Sequence, residues 1–238
     1  MSQKQNTPLS LGSASIGKLL MQYSIPAIIA SVATSLYNII DSIFIGQGVG
    51  PMAIAGLAIT FPLMNLVIAF CVFIAAGGAT ISSIYLGQKD IVRAKSVLNI
   101  VFWLGLMHSI VFGGLSLIFL DEILYFFGAT TETIPYAREF MRIILYGSPI
   151  SYLFVVLNNM LRATGYPQKA MFTALLTVLI NLILAPIFIF VLKWGISGAA
   201  FATICGQFVA LLWMMIHFSS SKSFVSFNRS KLFTFSVS

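Results

Sequence analysis

The sequence predicts an all-α membrane protein, a bundle of six transmembrane helices with both termini on the cytoplasmic side. Three observations carry that prediction. Only 8% of the 238 residues are charged and 59% are hydrophobic, against roughly one-quarter charged in a soluble domain. The apolar residues fall in long charge-free runs: Leu19 to Ile40, Ser42 to Gln88, Ser96 to Leu120, Ile143 to Leu161, Ala170 to Leu192 and Trp194 to Ser221. About 20 residues of helix cross a hydrocarbon core. The basic residues, finally, segregate to alternate connections. Runs this continuous suit helices better than the alternating strands of a barrel, because a helix satisfies its own backbone inside lipid.

Taken in order, residues 1–15 are a polar tail. They lack the short apolar core and small-residue cleavage site of a secretory signal, so the first span is expected to be retained. That span covers 17–45 and runs past Asp41. The second, 52–86, begins after the turn GQGVGP. The third is expected over 96–120, the fourth over 137–161 and the fifth over 170–192. The sixth, 198–218, opens on the small-residue stretch GISGAAFAT, where Ala199 and Thr203, or Ala202 and Gly206, have the spacing that lets helices approach closely. Residues 219–238 form a Ser-rich, basic tail. Pro26, Pro62, Pro149 and Pro186 all fall within spans, where each removes a hydrogen bond and favours a kink. Four such prolines in six spans point to a transporter or channel.

Orientation follows from the charges. Lys4, Lys18, Lys89, Arg93, Lys95, Arg162, Lys169, Lys222, Arg229 and Lys231 share one side; Arg138, Arg142 and Lys193 lie on the other with Asp121, Glu122, Glu132 and Glu139. The basic side is cytoplasmic by the positive-inside rule. The net charge of +7 is thus topogenic; no basic patch interleaved with aromatics calls for nucleic acid. Cys71 and Cys205 read as small packing residues, and His108 and His217 are too separated for a zinc or catalytic cluster. With no phosphate loop, nucleophile elbow or carboxylate pair, the chain does not read as an enzyme, and no cofactor is implied.

Asp41, within LYNIIDSIFIG, is the residue that composition does not explain. A charged Asp at mid-helix costs roughly 2.5 to 3.5 kcal/mol on insertion scales, so it calls for a polar cavity, a protonated state or a hydrated position near the outer interface. Tyr37 lies one turn before it on the same face. The stretch IIDSIFIG (Ile39 to Gly46) is echoed by ILAPIFIF (Ile183 to Phe190), which sets Ala185 opposite Asp41; internal repeats are common in transporters. Gln22, Asn65 and Gln207 read either as pathway residues or as interhelical hydrogen-bond partners. The twenty-one Phe are enough for an aromatic wall able to accept cations.

Four stretches in order, DSIFIGQGVGPMAIAGLAITFP, YLGQKDIVRAKSVL, NNMLRATGYPQKAM and NLILAPIFIFVLKWGISGAAFAT, resemble the multidrug and toxic compound extrusion (MATE) family over about residues 16 to 218. The resemblance implies one six-helix lobe, the N-terminal one, of a twelve-helix antiporter in the plasma membrane (the bacterial inner membrane). Such an antiporter exports amphipathic or cationic organic compounds in exchange for H⁺ or Na⁺. The partners it implies are those small molecules, membrane lipid and a second lobe, toward which 219–238 would lead.

Carried over residue by residue, the resemblance makes Asp41 the cavity acid, with Tyr37, Asn181, Thr203 and Asn158 as cavity residues, and implies a Na⁺ site at Asp41, Asn181 and Thr203 or a hydrogen-bond net around a protonatable acid. Ala185 departs from the family, which commonly has aspartate there. Asp41 is then the sole protonatable group of the lobe. Two alternatives stay open: a lipid-linked precursor flippase, expected to have a more basic cavity, and a transport-incompetent membrane module.

Overall fold

A computed structural model describes residues 15–220 and 225–227. All but the edges of the two tails expected over 1–15 and 219–238 lie outside the described residues, as do Lys4, Lys222, Arg229 and Lys231. The helices are α1 (Ile16–Gly48), α2 (Pro51–Gly87), α3 (Ile91–Ile118), a short α4 (Leu120–Phe126), α5 (Ile134–Tyr146), α6 (Ser148–Ala163), α7 (Pro167–Pro186) and α8 (Gly195–Ser219). No strand occurs among the described residues. Among the described residues five helices are long and apolar enough to cross a membrane: α1, α2, α3, α7 with the turn that extends it to Val191, and α8. The pair α5 and α6 makes a sixth crossing, bent by 57°.

Local chemistry explains each break. The α1–α2 turn passes through Gly50 at φ +120°, a conformation open to glycine. Pro51 then starts α2, where its missing N–H costs nothing. Asp90 caps α3 by accepting the Arg93 backbone N–H at 3.0 Å. The fourth span is a broken helix: Gly147 ends α5, and Pro149 enters the first turn of α6. A Cβ at Gly147 would overlap Ile204, so α8 fills the elbow. In the fifth span Pro186 has no N–H to offer Leu182, and the helix responds by widening. The Leu192 N–H reaches back to the Ile187 carbonyl at 2.9 Å, giving a π-helical turn over Ile187–Val191.

The core has two apolar clusters, one toward each end of the bundle. One gathers Ile45, Leu57, Met141, Leu145, Ile189 and Ile196; the other gathers Leu98, Leu157, Met160, Met214 and Phe218. Large apolar side chains also point outward, Phe73 at 80% and Ile118 at 72% exposure among them. Such a surface suits lipid as its solvent. Helix α1 packs mainly on α7 and only lightly on α2, which leaves a cleft between the first two spans.

At the end opposite the basic connections, Arg138 of α5 grips Asp121 of α4 with both prongs of its guanidinium, at 2.6 and 2.7 Å. The pair is 33% and 44% exposed, so water and salt screen it. Arg138→Gln is expected to lower stability by less than about 1 kcal/mol, measured by thermal unfolding in detergent.

Candidate substrate and ion cavity

The cleft between α1 and α2 is a cavity of about 680 Å³. Its walls come from Tyr37, Asn38, Asp41 and Ser42 of α1 and Phe61 of α2, closed behind by Phe140 of α5 and Thr203 of α8. Among the described residues Asp41 is its only charged lining residue. The residue is 8% exposed, and its Oδ1 has no hydrogen-bond partner among the described residues. It lies seven residues before the end of α1, about 10 Å along the axis. An unpaired acid buried there is costly, and such groups in membrane proteins mark binding or transport sites.

Beside it, three helices meet in a closed polar net. Thr203 Oγ1 donates to the Ala199 carbonyl at 3.1 Å. The Tyr37 hydroxyl therefore donates to Thr203 Oγ1, at 3.0 Å. Asn181 Nδ2 donates to both, at 3.3 Å to Tyr37 Oη and 3.1 Å to Thr203 Oγ1. Every proton in the triangle has an acceptor. The net fixes α1, α7 and α8 against one another, and it turns the amide nitrogen of Asn181, a donor, toward the other two residues. Asp41 is left as the unsatisfied acceptor on the cavity wall.

The structure thus brings Tyr37, Asn181 and Thr203 into contact, with Asp41 one turn beyond Tyr37. It places Asn158 elsewhere. Asn158 Nδ2 donates to the Ala170 carbonyl and to Thr173 Oγ1, both at 2.9 Å, and ties α6 to α7. Gln207 accepts from Ser151 Oγ between α8 and α6. Asn38 and Ser42, which line the cavity, went unnoticed in the sequence; the signal was their placement in one helical turn around Asp41.

The echo between α1 and α7 has a spatial meaning. Tyr37 and Asn181 are 144 residues apart, and the same offset relates Ile39 to Ile183 and Asp41 to Ala185. The repeated segments pack side by side in register, with Ile45 and Ile189 in one core cluster. By the same offset Ala185 is the counterpart of Asp41, and it is fully buried. Ala185→Asp is expected to destabilise the lobe by about 2.5 to 3.5 kcal/mol if the new carboxylate is charged, and Ala185→Asn by less. Thermal unfolding of the two variants checks this; equal losses would show that bulk, not charge, sets the cost.

Polar groups at this depth, converging on a cavity in a multi-pass bundle, define a membrane transporter lobe. A family model described as MatE matches residues 26–187, more than half of the chain, and the chain belongs to that family. It is 33% identical over 215 residues to the Multidrug export protein MepA of Staphylococcus haemolyticus (strain JCSC1435), covering 90% of this chain and 48% of that one. A crystal structure of MATE in the bent conformation superposes with a TM-score of 0.88 at 28% identity, over 100% of this chain and 52% of that one. An outward-facing multidrug resistance MATE transporter of the MOP superfamily gives 0.89 at 27%, over 98% and 51%. The chain spans about half the length of the proteins it matches, as one lobe of a two-lobe transporter does.

Proposed function

We propose that this chain is the N-terminal lobe of a cation-coupled exporter of amphipathic or cationic organic compounds, completed by a second six-helix lobe. Both termini are cytoplasmic in the plasma membrane, and H⁺ or Na⁺ is the coupling ion. The observation that carries the reading is Asp41: an acid whose Oδ1 has no partner among the described residues, on the wall of a cavity and beside a net whose protons are all accepted. A single negative charge can hold a proton, a small cation or a cationic substrate, and mutual exclusion among them is what exchange requires. Phe61 and Phe140 add π faces to the same wall. Among the described residues the cavity lining contains no Lys or Arg, which favours this reading over that of a lipid-linked precursor flippase.

The test is efflux of a cationic dye from vesicles that contain the lobe with the lobe that completes it, under an imposed H⁺ gradient or an imposed Na⁺ gradient. Export that follows one of the two gradients is expected. Export indifferent to the collapse of both would overturn the reading.

A further inference from the structure

At the basic end of the bundle a second, smaller groove opens between α2 and α6, about 490 Å³ in volume. Four hydrogen-bonding side chains face it, Thr80 and Ser83 from α2 and Asn159 and Arg162 from α6, and Ala79 and Ala163 leave the space between them. Arg162 is placed well for the helix it ends, since a cation complements the carboxyl end of the α6 dipole. That leaves its guanidinium donors unfilled. The side chains of Arg162, Thr80 and Ser83 make no hydrogen bond or ion pair among the described residues. Thr164 and Ser96, at the same end, return their hydroxyls to carbonyls of their own helices.

Among the described residues no Asp or Glu pairs with Arg162. The sequence has six Asp and Glu. Asp41 lines the other cavity, and Asp90 pairs with Arg93 at 3.4 Å. The remaining four belong to the opposite end, where Asp121 holds Arg138 and Glu139 accepts from Ser197. Lys169, the neighbouring cation, is already engaged with His217 Nδ1 at 3.4 Å and with the Tyr166 ring at 4.2 Å. The described residues supply no counter-ion for Arg162.

We infer that this groove binds a phosphate group. A guanidinium fork and two free hydroxyls form a donor set matched to phosphate oxygens, beside the Asn159 amide, whose nitrogen already donates to the Val155 carbonyl at 2.9 Å. Basic pockets between transmembrane helices on the cytoplasmic side recognise anionic headgroups. Two carriers have the required chemistry: a phosphatidylglycerol-type headgroup, whose acyl chains would lie along the exposed apolar residues Ile84 and Phe73 of α2, and free inorganic phosphate. The site is separate from the Asp41 cavity and does not depend on the export reading.

The full chain, reconstituted in nanodiscs of phosphatidylglycerol and phosphatidylcholine, is released and weighed by native mass spectrometry. Retention of phosphatidylglycerol about fivefold above phosphatidylcholine is expected, with loss of that preference in Arg162→Gln. Arg93→Gln, which removes an equal charge already paired to Asp90, should keep it. Thr80→Val with Ser83→Ala leaves the charge in place and is expected to weaken retention by a smaller factor, which guards against misfolding of the arginine variant. In a parallel arm, inorganic phosphate is added to the detergent-solubilised chain and thermal unfolding is followed. Stabilisation that Arg162→Gln abolishes, without lipid selectivity, assigns the phosphate to the soluble anion. Equal lipid retention in all variants, together with no Arg162-dependent response to phosphate, overturns the inference.

Discussion

Asp41→Asn is expected to cut gradient-coupled export by the assembled transporter about tenfold or more, which is about 1.4 kcal/mol or more of transition-state or binding free energy, while leaving the lobe at least as stable. The two halves of that expectation have one cause. Asp41 Oδ1 makes no hydrogen bond among the described residues and the residue is 8% exposed. Its charge is therefore a liability to the fold, and the isosteric amide removes the liability without opening a hole. The amide cannot take up a proton or hold a cation as a carboxylate does. Stability that rises or holds while coupled export fails is the signature of a functional group. A stability loss with proportionate loss of export would mark a structural one, and undiminished coupled export would sink the role proposed for Asp41. Export and thermal unfolding need to be measured on the same preparation.

What was legible in the sequence follows from which forces leave local traces. Lipid imposes its demand residue by residue, so the crossings could be read from charge-free runs, and Pro51 and Asp90 mark helix starts by rules that act within one turn. The break at Gly147 was less legible. Pro149 signalled a kink, but a 57° elbow also needs Ile204 of α8 to occupy the space a side chain at Gly147 would need, and that residue is remote in sequence. The widened turn after Pro186 is similar. Proline predicts a lost hydrogen bond, while the repair chosen depends on Phe188, whose backbone crowds Gly198 of α8.

The site divides in the same way. Tyr37 and Asp41 could be paired from helix periodicity alone, whereas Asn181 and Thr203 came only through family resemblance, because nothing local links residues 144 and 166 positions from Tyr37. Asn158 shows the limit of that route: as a polar residue in a span it resembles a cavity group, yet its protons are already committed to Ala170 and Thr173. The echo IIDSIFIG and ILAPIFIF held more than its length suggested, since its offset is the register in which α1 and α7 pack.

Because Asn181 of α7 and Thr203 of α8 together hold Tyr37, the α7–α8 contact is the structural foundation of the site, and Gly206→Val tests it. A Cβ at Gly206 would stand 2.8 Å from the Thr177 carbonyl oxygen, a backbone atom that cannot swing aside. Valine must therefore push α7 from α8, at a cost of about 1 to 3 kcal/mol for overpacking. In lipid, where close approach of small residues is a main source of helix association, little offsets that loss. Asn181 lies one turn beyond Thr177, and Thr203 lies one turn before Gly206. The same wedge thus lengthens the 3.1 Å bond between Asn181 and Thr203 and frees the net that positions Tyr37 beside Asp41. Both the unfolding temperature and coupled export should fall in Gly206→Val. Gly114→Ala is the control: its new Cβ meets nothing within 4 Å, so the gain in helix propensity should leave stability unchanged or higher by about 0.5 to 1 kcal/mol. If Gly206→Val unfolds no earlier than Gly114→Ala, the close approach of α7 and α8 is not what holds the site together.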